Sequence, residues 1–268
     1  MHQTLRHRVI EDVLAERELV TVDELVARLG ASPATVRRDL SALAQAGRLR
    51  RVRGGVELLP IQPVRGLRTP SFERTRRENL AQKRAIAARA AALCRPGESI
   101  IVNGGTTTFC LGERIADMAL HVLTNSFALA EYLAGRGDCR VLLPGGEIYR
   151  EQNLVLSPYE HDTMLDHFYA SKMFTGAQAI RAQGLIEGDP ILIKAEQKLI
   201  KRAEQLIVLV DGSKFVPRGS LILCPLAEID LVVTDSGAPP EAIDLLRDAG
   251  VAVEVVEVVD SRRELSPA

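Results

Sequence analysis

The sequence predicts an α/β protein with a small winged helix-turn-helix at its N-terminus, and three observations carry that expectation. The first 58 residues hold helix-spaced apolar stripes separated by a glycine turn. An arginine-rich segment that alternates with period two closes this stretch. Beyond residue 96, short Val- and Ile-rich runs alternate with helix-length segments, as in a largely parallel sheet wrapped by helices. With 268 residues and 46% apolar content, the chain is long enough for two cores. Its net charge of -1 excludes a surface that is basic throughout, so a nucleic-acid partner requires basic character that is local. Residues 32 to 53 carry six arginines against the single acid Asp39, whereas residues 59 to 268 carry 24 basic and 27 acidic side chains. That second balance suits a metabolite-binding domain and repels DNA.

In chain order, Leu5, Val9, Val13 and Leu14 recur at helical spacing and predict a first helix running to about Arg17. Thr21 with Glu24 three residues later is a capping-box pattern, followed by the apolar face Val22, Leu25, Val26 and Leu29 and a stop at Gly30. Ser32 is a good N-cap, Pro33 suits a first helical position, and Val36, Leu40 and Leu43 stripe a third helix that ends at Gly47. Helix, glycine turn, helix is the shape of a helix-turn-helix, whose second helix enters the major groove with its N-terminal residues facing the bases. Ser32, Thr35, Arg37 and Arg38 lie at that start, where short polar groups and guanidinium forks reach base edges and phosphates. The run from Arg48 to Arg53 alternates apolar and basic residues, then turns at Gly54-Gly55 into Val56 and Leu58, which predicts a hairpin wing. Leu49 and Val52 close the core, and Arg48, Arg50, Arg51 and Arg53 lie along phosphates flanking the groove. A merely solvated charge run is the competing reading, and four arginines in six residues with no acid between them disfavour it.

Pro60, Pro63, Gly66 and Pro70 mark an extended linker over residues 59–71, so the domains are read as 1–58 and 72–260. The basic stretch from Phe72 to Asn79 reads as an exposed helix leading into Ile86 and Leu93, with a DNA-facing role as the alternative. Strands are expected at Ser99–Val102, His121–Thr124, Arg140–Leu143, Leu206–Val210, Leu231–Thr234 and Val251–Val259. In such sheets ligands sit at the carboxyl ends of the strands, so the polar residues that follow them matter most. Asn103, Gly104, Gly105, Thr106 and Thr107 follow the first strand and open a helix. Glycines there let backbone amides approach an anion, threonine hydroxyls donate to it, and the helix N-terminus adds a favourable partial charge. Gly105 in particular is expected to need glycine's conformational freedom. Thr124-Asn125-Ser126, Pro144-Gly145-Gly146-Glu147 and Asp211-Gly212-Ser213-Lys214-Phe215 end other strands and together would surround a hydroxylated ligand.

The segment from Ser32 to Leu40, followed by Gly47 to Gly55, resembles the N-terminal signature of the DeoR family, with Arg53 where that family usually has histidine and Val56 where it often has alanine. The resemblance covers nearly the whole chain. It implies an effector domain similar in fold to ribose-5-phosphate isomerase and coenzyme A transferases, governed by a phosphorylated sugar or sugar acid. It also implies roles by position: Asn103 to Thr107 as the phosphate loop, Asn125 and Gly145-Gly146 as neighbouring loops, Glu196 and Lys198 as an acid-and-lysine helix, and Asp211 with Lys214 as the segment after a strand. Lysine there neutralises phosphate or meets a sugar hydroxyl. Gln178 departs from the family, which usually has aspartate in Gly-Ala-Asp-Gly-Ile where this chain has Gly176 to Ile180. A neutral amide donates as well as accepts, which fits a more oxidised or differently oriented ligand. With Leu156-Ser157-Pro158 and Met173 to Gly176, the chain most resembles the branch that represses L-ascorbate utilisation.

Other readings carry less. Cys94, Cys110, Cys139 and Cys224 form no CxxC pair, so reduced thiols are expected and neither zinc nor a disulfide framework. Asp162 and Asp166 share a helix face, but His161 and His167, six residues apart, lie on different sides of it, and no metal or other cofactor is expected. Ser157 lies in no G-x-S-x-G elbow, so a hydrolase is not expected. The rival from another class is a sugar-phosphate isomerase with a DNA-binding appendage, using Glu196 or Asp211 as general base. No signal peptide or membrane span is read, which places the chain in the cytoplasm. One wing-and-helix unit reads a short half-site of double-stranded operator DNA, so a homo-oligomer, dimer or tetramer, is expected.

Overall fold

The computed structural model describes residues 6–7, 9–10, 13, 20–45, 49–52, 55–58, 72–156, 163–216 and 219–258. The chain divides into two units, Met1–Gly66 and Leu67–Ala268. Several expectations lie outside the described residues: Leu5, Leu14, Arg48, Arg53, Gly54, the linker 59–71, and the pair His161 and Asp162 together with Ser157.

In the N-terminal unit, Arg6, His7, Val9, Ile10 and Val13 are helical. Helix α1 (Val22–Leu29) begins at a complete capping box, with Glu24 N–H donating to Thr21 Oγ1 (3.3 Å) and Thr21 N–H donating to Glu24 Oε2 (2.8 Å). It ends on Gly30, whose φ of 58° is left-handed and is tolerated because glycine has no Cβ. Helix α2 (Pro33–Gln45) starts at Ser32, whose hydroxyl accepts from Thr35 N–H at 3.2 Å. Strands β1 (Leu49–Val52) and β2 (Gly55–Leu58) pair antiparallel with Arg51 opposite Val56, and Val20 exchanges two backbone hydrogen bonds with Val56. Ile10, Leu25, Val36, Leu40, Leu43, Leu49 and Val56 make one core. Asp39 is the exception to this apolar interior, 2% exposed. Arg6 grips its carboxylate through Nε (2.7 Å) and Nη2 (3.1 Å), and His7 Nε2 lies 3.2 Å away. The acid passed over in the sequence as the odd one among arginines ties the start of the chain to the recognition helix.

The second unit opens with α3 (Phe72–Arg77) and α4 (Leu80–Ala91). Arg76 is engaged by Glu113 at 3.1 Å and stacks 4.2 Å over the Phe109 ring. Seven strands follow in one parallel sheet: β3 (Ser99–Val102), β4 (His121–Leu123), β5 (Arg140–Leu142), β8 (Ala170–Thr175), β11 (Ala203–Leu209), β13 (Leu231–Asp235) and β14 (Ala252–Val256). Their order in space is β14-β13-β11-β8-β3-β4-β5. From β3 the chain builds outward to one edge, then returns to lay β8 on the other side of β3 and builds to the opposite edge. The gap between β3 and β8 is thus the switch point of the sheet, where neighbouring connections leave in opposite directions and a crevice opens. Helices α5 (Thr106–Ile115) and α6 (Phe127–Gly135) pack with α4 on one face, and α8 (Pro190–Ile200) and α9 (Pro240–Asp248) on the other, with the short α7 (Thr163–Asp166) just before β8. Alternation along the strands divides the two cores: Ile100, Val102 and Phe174 face one, Ile101 and Met173 the other. A hairpin of β6 (Glu147–Tyr149) and β7 (Leu154–Leu156) and an antiparallel sheet of β9 (Ala179–Arg181), β10 (Gly184–Glu187) and β12 (Leu221–Cys224) complete the unit.

The expected strands are all present: Ser99–Val102 matches, the 121, 140 and 252 strands are trimmed by one to three residues at an end, the 231 strand runs one residue further to Asp235, and the 203–209 strand starts three residues earlier and ends one earlier than expected. Strand β8, at the centre of the sheet, was not expected. Its first half carries Ser171 and Lys172, which the local pattern reads as exposed, and both bond the Glu98 carboxylate at the strand's starting edge. The four cysteines are free thiols, three of them buried.

Candidate ligand pocket and nucleic-acid face

A pocket of about 850 Å³, counting its open mouth, lies at the switch point. One wall is the loop from β3 into α5. Gly105 is the N-cap of α5 and offers no side chain to it, so the first-turn N–H groups of Thr106 and Thr107 have no intrahelical acceptor, and both residues line the cavity. Gly104 and Gly105 both line the pocket, for different reasons. A Cβ on Gly104 would lie 1.9 Å from Leu154 Cδ2, so no larger residue fits without displacing the buried Leu154 side chain. Gly105 has a φ of 164°, which is extended backbone open to any residue, and a Cβ there would meet only Thr108 Oγ1 at 3.0 Å. The expectation that Gly105 needs glycine's freedom is therefore corrected: the glycine requirement sits at Gly104 and comes from close packing.

Two asparagines hold this loop from behind. Asn103 is 1% exposed, and its Nδ2 donates to Thr175 Oγ1 at 2.9 Å, joining β3 to β8 across the switch point. Asn125, 2% exposed, accepts from Gly104 N–H at 2.7 Å. Neither side chain lines the main pocket. Lys214, at the end of a short 3-10 turn, Gly212–Lys214, lines the same cavity. Asp211 sits behind this turn: it caps it through Ser213 N–H (3.0 Å), and it accepts from the Ser213 hydroxyl and from Asn79 Nδ2 (3.1 Å). Asp235 Oδ1 fastens Gly212 N–H at 2.8 Å. Asp211 thus presents Lys214 and does not line the cavity.

Gln178 does line it, with its amide laid across Gly188, where a Cβ would come within 2.6 Å of Nε2. Lys198 faces elsewhere. With Asn125 and Pro144 it borders a second, smaller cavity on the far side of β7. Gly145 and Gly146 are exposed in the turn before β6 and border neither. The sequence grouped these residues because all follow strands, whereas the structure divides them between two sides of the Leu154–Val155 backbone.

The pocket holds Glu196, which the sequence reading named, together with Glu187, which it left out. Glu187, at the end of β10, and Glu196, on α8, are 7% and 5% exposed and both line it. Burial pushes the Glu196 carboxyl up to about 8, the neighbouring Glu187 adds to the rise, and a hydrogen bond from Asn103 opposes it. Burial also raises Glu187, against the Gly188 N–H that donates to Oε1 at 2.7 Å. The signal for Glu187 was a strand-ending acid just before Gly188-Asp189-Pro190, a helix start that Asp189 caps through Ile191 N–H. Phe72 and Thr75 bring α3 into the same wall. That helix is clamped by Lys83, 1% exposed, whose Nζ donates to Thr75 O (2.5 Å) and Glu78 O (2.7 Å). Burial lowers the Lys83 pKa, with Asp211 opposing.

In the N-terminal unit, Arg37 and Arg38 are exposed on α2 and Thr35 is half-buried near its start. Ser32 and Thr35 hydroxyls lie 2.9 Å apart within the cap, so Ser32 is already engaged in ending the turn. Arg50 and Arg51 occupy adjacent positions on β1.

Two family models match this chain: the DeoR-like helix-turn-helix domain over residues 6–62, and the DeoR C terminal sensor domain over residues 78–236. The chain belongs to the DeoR family. As a DeoR-family transcriptional regulator it pairs a DNA-binding helix-turn-helix with a sensor domain, and the residues lining the pocket described above, apart from Phe72 and Thr75, fall within those that the sensor model spans. It is 35% identical over 254 residues to the HTH-type transcriptional regulator UlaR of Shigella dysenteriae serotype 1, covering 94% of this chain and 99% of that relative. The same coverage and identity hold for UlaR of Escherichia coli strain K12 / DH10B. Among solved structures, ribose 5-phosphate isomerase A from Methanocaldococcus jannaschii aligns over 52% of this chain and 56% of its own, at 22% identity and a TM-score of 0.38. Among the described residues, no helix is long and apolar enough to cross a membrane, and no cluster of potential ligands could hold a metal ion.

Proposed function

We propose that this DeoR-family regulator represses a carbohydrate-utilisation operon and is governed by a phosphorylated sugar or sugar acid bound at the switch point. The observation that carries this reading is the pairing of an uncapped helix N-terminus, Gly105 to Thr107, with Lys214 across one cavity. Backbone N–H groups and one ammonium are the complement of a phosphate, while Gln178 and the two carboxyls supply partners for hydroxyls. Asn103, Asn125 and Asp211 act from behind as positioning residues. The 35% identity to regulators named UlaR, together with Leu156 to Pro158 and Met173 to Gly176, supports the L-ascorbate utilisation branch. The regulator works in the cytoplasm as a dimer or tetramer on repeated half-sites of operator DNA, with Thr35, Arg37 and Arg38 reading bases and the wing arginines holding phosphates.

The sensor reading excludes turnover. One observation favours the alternative of an isomerase: two buried carboxyls, one of them pushed up to about 8, stand where a general base would be needed. A thermal-shift screen of phosphorylated sugars and sugar acids identifies the ligand, since a compound that binds only the folded state raises Tm. Incubating the protein with that compound then separates the readings. A sensor returns it unchanged, and an isomerase converts it.

A further inference from the structure

Asn79 stands at the junction of α3 and α4, and its side chain does not serve the helix it precedes. It is the N-cap of α4, in the left-handed conformation (φ 50°, ψ 40°), and its side chain makes no cap hydrogen bond. Asparagine is among the strongest N-cap residues, because its side-chain oxygen ordinarily accepts from a first-turn N–H. Here Nδ2 donates instead to Asp211 Oδ1 (3.1 Å) and Ser213 Oγ (3.3 Å), 132 and 134 residues further along the chain. Asp211 caps the turn that ends in Lys214, and Ser213 lies within it. On its other side Asn79 follows α3, whose Phe72 and Thr75 line the same pocket as Lys214. In chain order α3 is the first described element after the linker. A residue that breaks a local rule in favour of a distant partner marks a functional constraint.

We infer that Asn79 is a positioning residue of the sensor: it fixes the Lys214 turn to the α3–α4 junction, so that a ligand held by Lys214 also sets the placement of α3. The inference rests on the phosphate cradle proposed above and adds the route by which its occupancy is passed on. Coupling needs an element whose placement more than one site biases. The other ties of α3 do not include the turn. Arg76 engages Glu113 and the Phe109 ring on α5, Phe72 N–H donates to Glu151 O in the β6–β7 hairpin, and Lys83 holds Thr75 O and Glu78 O from α4. These anchor α3 to the body of the unit, whereas Asn79 joins its end to the turn that presents Lys214. Asn79 is exposed, and Asp211 keeps its bonds to Ser213 without it, so removing the amide loosens the turn without opening a buried gap.

The test uses the full-length chain, with inorganic phosphate and 6-phosphogluconate as probes. Asn79→Gly removes the amide and keeps the left-handed conformation. Asn79→Asp keeps the shape, tolerates the same conformation and replaces the donor by a carboxylate beside Asp211. Calorimetric titration in a double-mutant cycle with Lys214→Met separates a residue that acts through the lysine from one that only supports the fold. Each Asn79 variant is expected to weaken 6-phosphogluconate binding by roughly fivefold when Lys214 is present, and to cost nothing further once it is methionine. Hydrogen exchange reads the link to α3. In the wild type either probe should protect the amides of α3 along with those of the Gly104–Thr107 loop, and in both variants protection should persist at the loop and vanish at α3. Additive losses in the cycle, or α3 protection that is absent from the wild type or undiminished in the variants, overturns the positioning role alone. If neither probe at millimolar concentration protects the Gly104–Thr107 loop of the wild type, the phosphate cradle is overturned and the positioning role with it.

Discussion

Asp39 in the DNA-binding unit and Glu196 in the sensor unit are both buried acids, and they have opposite characters. Asp39 is met by Arg6 and His7: burial pushes its carboxyl up, but the Arg6 hydrogen bonds and charge outweigh this and hold it below the usual carboxylate range. Glu196 is met by another acid and an amide, and stays protonated to about 8. The difference separates a carboxylate used to fasten two helices from a carboxyl held in reserve at a cavity. The first rewards ionisation, and the second resists it. Structural acids come with cations already in place, whereas acids that await a ligand do not.

The comparison can be broken in several ways. The largest effect is expected from Asp39→Ala, which removes the carboxylate that Arg6 and His7 both engage and loosens the first helix from α2. For a unit this small that abolishes DNA binding, and urea denaturation followed by a DNA-binding titration would show it. A variant with wild-type stability would mean that the ion pair is ornamental.

Next comes the pH dependence of Glu196. Its native pKa exceeds its unfolded value, so between the two the native state holds the extra proton and stability falls as pH rises through that window, from the ordinary carboxylate range to about 8. Asp39 runs the other way. Its native pKa is depressed, so its contribution is present above the unfolded value and is lost on acidification. Glu196→Gln should therefore stabilise the sensor unit at pH 9 by on the order of 1–3 kcal/mol and leave it nearly unchanged at pH 4. Thermal melts across pH check this, and equal shifts at both ends would contradict it.

Gly104→Val comes third. Its Cβ enters the space of Leu154 Cδ2, an overpacking worth about 1–3 kcal/mol. The sensor unit should still fold but lose ligand binding, while Gly105→Ala should be far milder. The smallest effects lie in the DNA-binding unit. Thr35→Ala and Arg37→Ala should erode discrimination between operator and mutated operator by about 1–3 kcal/mol per lost base contact. Arg51→Ala and Arg53→Ala should weaken all DNA alike and lower the salt slope by about one unit each. A uniform loss for the first pair, or a wild-type salt slope for the second, would exchange their roles.

The same comparison explains what could be read from the sequence. The N-terminal unit was legible because its signals are local: a capping box at Thr21, an N-cap at Ser32, a glycine stop at Gly30 and unopposed arginines on one strand. Each is decided within a few residues. The sensor's strands were legible for the same reason, except β8, whose Lys172 is satisfied by Glu98 more than 70 residues away. The pocket was legible only in part. Gly104 to Thr107, Gln178 and Lys214 do meet around one cavity, because strand ends converge at a switch point. Lys198 and Gly145-Gly146 do not, because which side of β7 they face depends on packing that no local pattern encodes. Glu187 and Lys83 were missed because charged residues are ordinarily solvated, and only the assembled fold shows that these two are buried.

The most direct test of the central claim, that the switch-point pocket governs DNA binding, is operator affinity measured with and without ligand in wild type and in Gly104→Val. The operator is DNA selected from a random pool by the full-length protein, and the ligand is the compound that raises Tm most in the screen. The account predicts that ligand shifts wild-type affinity by at least tenfold, while Gly104→Val binds the same DNA with wild-type affinity and shows no shift. A full ligand shift in Gly104→Val would contradict it and would move the sensor site away from the β3–α5 loop.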